Sequence, residues 1–278
     1  MWFDSPFHGN GNLGMLVLAE KVTRNGEEKY ILRFDLGRAD VWDVRMQGSP
    51  YAHGDRYSRS LLITDSQVDR CRLETGHFEL ETAGIILNGT MRINLFDANV
   101  TGTLITTKGS VRFTTLTFSS EHLFLIDLET EDGETELSIR YVAEQGVCNG
   151  RYQPEDYVKN PEPECSTVAT SMREYNVCQH RLLERGDYAE AYVIDSTASR
   201  LRVFATIDNA IPANRLRAVS AKEGSVAMLE RILSRGLDQL LKEHQAFWHA
   251  YYQQSFLSIP DMKWEGFYWI QVGPARRC

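Results

Sequence analysis

The chain has 278 residues, a formal net charge of −8, and 42% hydrophobic and 24% charged residues. That length can bury a large core, as one big β domain or two ordinary ones, while the acidic balance argues against a nucleic-acid surface, which needs a basic patch. No stretch approaches the ~20 apolar residues of a membrane helix, and Met1 is followed by Trp2, Phe3 and Asp4 rather than by a basic start and an apolar run, so no signal peptide is read here.

The first feature along the chain is Gly9-Asn10-Gly11-Asn12-Leu13-Gly14, which fits G-x-G-x-x-G. That pattern binds a dinucleotide only when a strand feeds it and a helix follows. The residues before Gly9 are too few, and too broken by Pro6, to supply the strand. Asp35 stands near the spacing of a ribose-binding acid, but the strands downstream read as antiparallel. A kinase-type glycine loop fails as well, because no H-R-D or D-F-G follows. The loop is expected to be a tight turn that bends the chain into its first strand; a second reading adds a sugar cleft or a partner domain that it lines.

Tyr30, Leu32, Phe34 and Leu36 alternate with other residues, as in a strand with one buried face. Asp35, Asp40 and Asp43 follow beside Trp42. Paired carboxylates can act on a glycosidic bond, and an aromatic face beside polar side chains suits a sugar ring. The plainer alternatives are a solvated loop, with Arg38 and Arg45 as counter-charges, and a core tryptophan.

From about residue 70 to 142 strands succeed one another with no room for crossover helices, which predicts an antiparallel meander. Met91, Ile93 and Leu95 alternate, and so do Leu137, Ile139 and Tyr141. Lys108-Gly109 and Glu131-Asp132-Gly133 read as hairpin turns. Residues 143–165 are polar and proline-rich, as in a long surface loop. Strands resume near 173–184, 187–195 and 199–207, the last with Leu201, Val203, Ala205 and Ile207 on one face.

None of the five cysteines forms a C-x-x-C pair, and their spacings fit no zinc pattern, so no metal or cofactor is expected. Idle thiols are the plain reading. A Cys148–Cys165 or Cys165–Cys178 bridge would need an oxidising compartment. Asn88-Gly89-Thr90 and Asn99-Val100-Thr101 match the glycosylation pattern, a triplet that arises often by chance. The seven histidines form no H-E-x-x-H, and His244 and His249, five apart, do not share a helix face as two metal ligands would.

Ser220-Ala221-Lys222-Glu223 is a capping-box pattern. After it, apolar residues from Val226 to Tyr251 recur mostly at spacings of three and four, which predicts one long amphipathic helix despite Gly236. Trp264-Glu265-Gly266-Phe267-Tyr268-Trp269-Ile270-Gln271 is the densest aromatic cluster.

Asp4-Ser5-Pro6 with the Gly9–Gly14 loop resembles the opening of the six-hairpin glycosidases, in particular glycoside hydrolase family 95 (the α-L-fucosidase and α-galactosidase group) and its uncharacterised bacterial relatives. Asp40-Val41-Trp42 matches an Asp-x-Trp element that follows the second strand in these enzymes. Trp248, Ser255-Phe256, Pro260-Asp261 and residues 265–271 look like the linker helix and the entry into an (α/α)6 barrel. The resemblance implies a galactose-mutarotase-like antiparallel supersandwich over residues 1–219, a linker helix over 220–256 and the start of a barrel over 257–278.

It also implies a parent enzyme acting on a glycan. Its acid and base carboxylates belong to the barrel, so no catalytic residue is carried over to this chain. The Gly273–Cys278 tail departs from the family pattern, as a truncated gene model would. Asn10, Asn12, Asp40 and Trp42 are the candidate sugar-facing residues, and Trp264, Phe267, Tyr268 and Trp269 the candidate barrel interface, which would be exposed without the barrel. A stand-alone carbohydrate-binding β-sandwich is the second functional reading, and a structural domain with no ligand the third.

Overall fold

A computed structural model describes residues 5–24, 26–43, 72–147, 158–184, 186–211, 219–254 and 257–272. Arg45, Cys71, Cys148, Ser255, Phe256 and the Gly273–Cys278 tail lie outside the described residues, as does the Trp269 side chain.

Thirteen strands form among the described residues: β1 (Phe7–Gly9), β2 (Leu13–Arg24), β3 (Glu27–Arg38), β4 (Gly76–Thr82), β5 (Ile86–Asn94), β6 (Asn99–Thr106), β7 (Ser110–Thr117), β8 (Phe124–Glu131), β9 (Leu137–Ala143), β10 (Glu164–Ala169), β11 (Glu174–Arg181), β12 (Asp187–Ser196) and β13 (Arg200–Asn209). They build a five-stranded sheet in the order β1-β2-β3-β4-β9 and an eight-stranded sheet in the order β10-β11-β12-β13-β8-β7-β6-β5. Every pairing is antiparallel.

The period-two pattern explains how the sheets meet. Leu32, Phe34 and Leu36 of β3, with Phe78 and Leu80 of β4, share one buried cluster with Phe113, Ile126, Leu128, Leu201, Val203 and Ile207 of the larger sheet. Each such fully buried side chain contributes on the order of 1.5–3 kcal/mol. Tyr30 departs from the pattern and is exposed.

The meander is narrower than the spacing predicts. Of the strands between residues 70 and 142, only β5 to β8 run as sequential neighbours, while β4 and β9 pair with each other in the opposite sheet. Glu131-Asp132-Gly133 is therefore not a hairpin but a corner where the chain changes sheets; Asp132 and Gly133 take positive φ angles of 54° and 101° there. Turn residues report a change of direction, not the strand that comes next. Lys108-Gly109 does close a hairpin, between β6 and β7.

Two of the sheet-changing connections, β4–β5 and β8–β9, are tied by one buried carboxylate. Glu134 accepts from the amides of Ala83 and Gly84 and from the Thr106 hydroxyl. Cys165 and Cys178, directly opposite each other on β10 and β11, form a disulfide.

The odd-numbered face of β12 and β13's Phe204 point the other way, into a second cluster beneath two helices. Helix α1 (Ala221–Leu233) starts at Ser220, whose hydroxyl accepts from Glu223 N, and its Ala221 amide donates to Asp187 of β12. It lays Val226, Leu229 and Ile232 on the sheet.

The predicted single helix is broken. Arg235 N and Gly236 N close tight turns onto Ile232 O and Leu233 O, Gly236 takes φ 81°, and α2 (Leu237–Gln253) begins there. A helix interior cannot hold a residue at positive φ. The break resets the apolar stripe, so Leu240, His244, Trp248 and Tyr252 of α2 are buried in turn. A third helix, α3 (Met262–Val272), follows.

Candidate functional site

At one end of the sandwich four pieces of chain converge: the turn between β1 and β2, the end of β3, the connection between β7 and β8, and the end of β13. Gly9 to Gly14 is the first of these. Gly9 pairs with Gly14 across the hairpin, and Gly11 takes φ 88°. A Cβ on Gly9 would lie 2.6 Å from Leu13 O, so the close approach of the two backbones requires glycine.

Asn10 holds this turn together. Its Oδ1 accepts from Asn12 N at 3.0 Å and Leu13 N at 2.8 Å, while its Nδ2 donates to Phe118 O at 2.8 Å and Glu121 O at 3.3 Å. The amide is thus committed within the protein and joins the smaller sheet to the β7–β8 connection of the larger one. His8 does the same one step earlier, bonding Thr115 and Thr117 of β7.

Asn12, by contrast, reaches His122, with its amide nitrogen 3.0 Å from His122 Nε2. Arg38 Nη1 points at the other ring nitrogen at 3.5 Å. A guanidinium can only donate, so His122 Nδ1 is the acceptor. In the neutral ring the proton then sits on Nε2 and needs an oxygen; the Asn12 amide meets it with its oxygen once O and N are assigned by the network. Its NH2 group is left for another partner.

Arg38 also clasps Asp40 through Nε and Nη2, and donates through Nη1 to Ile207 O. The Arg38 side chain is only 7% exposed but Asp40 is 44% exposed, so what faces solvent is the carboxylate. Asn209 donates to Asp40 O at 2.7 Å and fixes the same segment.

The electrostatics follow from this packing. Burial of Asp40 by itself would raise its pKa, but the hydrogen bonds and charge of Arg38, with Asn209, overcome that and hold it below the usual carboxylate range. Burial lowers the His122 pKa, and the Arg38 charge lowers it further against the opposing pull of Asp40, Asp208 and Glu121. A neutral imidazole, an amide and an ionised carboxylate therefore stand together at a half-buried edge.

Trp42 lies two residues beyond Asp40 and is half-buried. It forms an isolated antiparallel bridge with Arg72, whose guanidinium carbon sits 5.3 Å from the ring centroid. The three aspartates near it do not act as one group. Asp35 pairs with Arg33 on the five-stranded sheet, Asp40 pairs with Arg38, and Asp43 is buried.

Of the four residues singled out in the sequence, the structure brings Asn12 and Asp40 into one network through Arg38 and His122, turns the Asn10 amide inward, and leaves Trp42 on the adjoining segment. His122, Asn209 and the bridging role of Arg38 have no local sequence signal. His122 is 110 residues from Asn12 and 84 from Arg38, and only the fold joins them.

Other charged clusters have different characters. Glu79, buried on the five-stranded sheet, is held by Arg24, Arg140 and His77; burial would raise its pKa, but Arg140 and Arg24 bring it down, so it is a poor proton donor. A groove of about 490 Å3 at the far edge of the larger sheet is lined by Thr167, Met172, Arg173, Asn176, Ile194 and Asp195, with no aromatic ring. Among the described residues no group of three or more histidine, cysteine, aspartate and glutamate side chains is placed to hold a metal ion, and no helix is long and apolar enough to cross a membrane.

On α3, Met262, Trp264 and Phe267 are exposed and Tyr268 is half-buried. In comparison with known proteins, no family model and no curated sequence matches the chain.

Proposed function

We propose that the chain is the β-sandwich component of a glycoside hydrolase, with the Asn12–His122–Arg38–Asp40 network as its glycan-facing surface and Trp42 as the neighbouring aromatic platform. The observation that carries this reading is the network itself. Sugar hydroxyls are bound by planar amides, imidazoles and carboxylates held in fixed positions beside an aromatic face. Here Arg38 fixes Asp40, His122 fixes Asn12, and both groups keep hydrogen-bonding capacity at an exposed edge.

Two facing antiparallel sheets that begin in a Gly-Asn-Gly hairpin support a galactose-mutarotase-like supersandwich. The exposed Met262, Trp264 and Phe267 of α3 support a seat for a helical catalytic domain of the (α/α)6 kind. In that assembly the two carboxylates that cleave the glycosidic bond belong to the helical domain, and this chain supplies a wall of the cleft.

A second reading, a carbohydrate-binding β-sandwich that works by itself, is favoured by a separate observation. Helices α1 and α2 bury Leu229, Ile232 and Leu240 in a cluster shared with the chain's own larger sheet, so they need no further domain to cover those residues. The test for both is binding of the purified chain to a panel of neutral oligosaccharides, followed by ligand-detected NMR. Binding that weakens in Asn12→Ala supports the shared site, and absence of binding to every glycan removes both readings. Size-exclusion chromatography then separates them: self-association through α3 favours the docking seat, and a strictly monomeric, glycan-binding chain favours the module that works alone.

A further inference from the structure

Helix α2 is fastened to the sandwich by histidines. His244 is 2% exposed. Its Nδ1 accepts from the Ser119 backbone amide at 3.1 Å, and its Nε2 lies 3.0 Å from Asp97 O. A backbone N–H can only donate and a carbonyl can only accept, so this ring must be neutral with its single proton on Nε2. One turn further along, His249 Nε2 lies 2.9 Å from Asp97 Oδ1, and its ring stacks on Phe96 at 3.8 Å. The turn between β5 and β6 thus receives both histidines, although five residues separate them.

We propose that His244 is a pH-operated latch: α2 stays seated while this ring is neutral and is released from the sandwich when it takes a second proton. A proton on Nδ1 would face the Ser119 N–H, so the two donors would repel, the Ser119 bond would be lost and a charge would be buried. The latch needs no ligand and stands whether or not the glycan reading does.

The ionisable groups that face His244 among the described residues are His8 from β1, Asp97 from the β5–β6 turn and His249 from α2 itself. His8, kept neutral by its burial, sets no charge of its own against a positive His244 ring. Asp97 favours it, but Asp97 meets His244 through its backbone oxygen and gives its carboxylate to His249. That His249–Asp97 contact is part-exposed, at 33% and 29%, and a solvent-screened pair of this kind contributes little to holding the helix. The buried His244, which loses its backbone bond to Ser119 N on protonation, therefore decides the outcome. Burial also lowers the His244 pKa, which puts release on the acid side of neutrality.

Release would expose Leu240, Trp248 and Tyr252, and the Phe118 surface beneath His244, while α1 keeps its own contacts with the larger sheet. The break at Gly236 supplies the hinge, since its φ of 81° is open to glycine and nothing lies within 4 Å of its Cβ position.

The test is hydrogen exchange of α2 amides in the full chain, corrected for intrinsic rates, between pH 7.5 and 5. In the wild type the opening equilibrium of α2 should rise by up to about tenfold per pH unit once His244 titrates, while β12 and β13 stay protected. His244→Gln can accept and donate but cannot be protonated, so it should flatten this dependence. His249→Gln, which leaves His244 and its Ser119 bond in place, should keep it. A wild-type α2 that stays as protected as the sheet at pH 5, or a His244→Gln chain that retains the slope, overturns the proposal. Should that variant not fold, 15N shifts of the His244 ring in the wild type decide: a neutral Nε2–H ring in the seated helix supports the latch, and a charged ring in a seated helix refutes it.

Discussion

Arg38 and Asp40 form a two-pronged ion pair in which the cation is buried and the anion is half exposed. Their bonds to each other use Arg38 Nε and Nη2, and Nη1 goes to Ile207 O and toward His122. The guanidinium is consumed as architecture, and the carboxylate it fixes is left to meet solvent. Asn10 and Asn12 divide the same way within one turn, the first spent on the fold and the second on the edge.

That division gives a direct contrast. Asn10→Ala removes two acceptor and two donor interactions, including one with buried Phe118 O, and is expected to cost about 1–3 kcal/mol of stability. Asn12→Ala loses one part-buried contact and should leave the melting temperature within the small range of a surface change. Glycan affinity should fall in Asn12→Ala by roughly 2–10-fold, the worth of one neutral hydrogen bond. Thermal denaturation and ligand titration of the two variants check both halves.

Glu134→Ala should be among the most damaging single changes. Glu134 is 4% exposed; its loss leaves the Gly84 amide without an acceptor and takes one of two acceptors from Ala83 N and the Thr106 hydroxyl, which keep Glu136 O and Gly109 O, at the β4–β5 and β8–β9 corners. The expected cost is about 2–4 kcal/mol, read as a shift of the urea midpoint with an unchanged slope.

His8 makes stability depend on pH. Burial, with a smaller contribution from the charge of His244, pulls its pKa down to about 3. The folded value lies below the unfolded one, so the unfolded chain takes up the proton first. Stability is full above ~6.5 and declines as pH falls from there toward 3. The total at stake is at most roughly 5 kcal/mol. Urea unfolding at pH 7 and pH 4.5 should show the decline, and His8→Gln should make it shallower; an equal slope in the two chains would refute this assignment.

The Cys165–Cys178 disulfide closes a loop with a sequence separation of 13. For a loop of that size, chain-entropy arguments give about 3 kcal/mol. Mild reduction, or Cys165→Ser with Cys178→Ser, should lower the melting temperature by a corresponding amount. Unchanged melting on reduction would show that the bridge does not form.

Much of this architecture is legible in the sequence, because alternation along β3, β9 and β13 directly reports which residues face a core. The capping pattern at Ser220 likewise marks where α1 begins. What escapes is the assignment of strands to sheets. Glu131-Asp132-Gly133 looks the same whether the chain turns back or crosses over, and the choice is made by Glu134 and its partners up to 51 residues away. Gly236 escapes for a related reason: the apolar spacing runs through it, and only its positive φ shows the break. The candidate site is half visible. Asn12 and Asp40 stand in recognisable segments, whereas His122 lies in an unremarkable turn and acquires its role only when the β7–β8 connection meets the first hairpin.

The central claim, that this end of the sandwich faces a glycan, is tested most directly by chemical-shift mapping of the intact chain during titration with neutral oligosaccharides. Perturbations should gather at Asn12, the segment from Arg38 to Trp42, and His122, and should shrink in Asn12→Ala. A chain that shows no response to any sugar, or one whose shifts gather at the Arg173–Asp195 groove on the far edge, would contradict it.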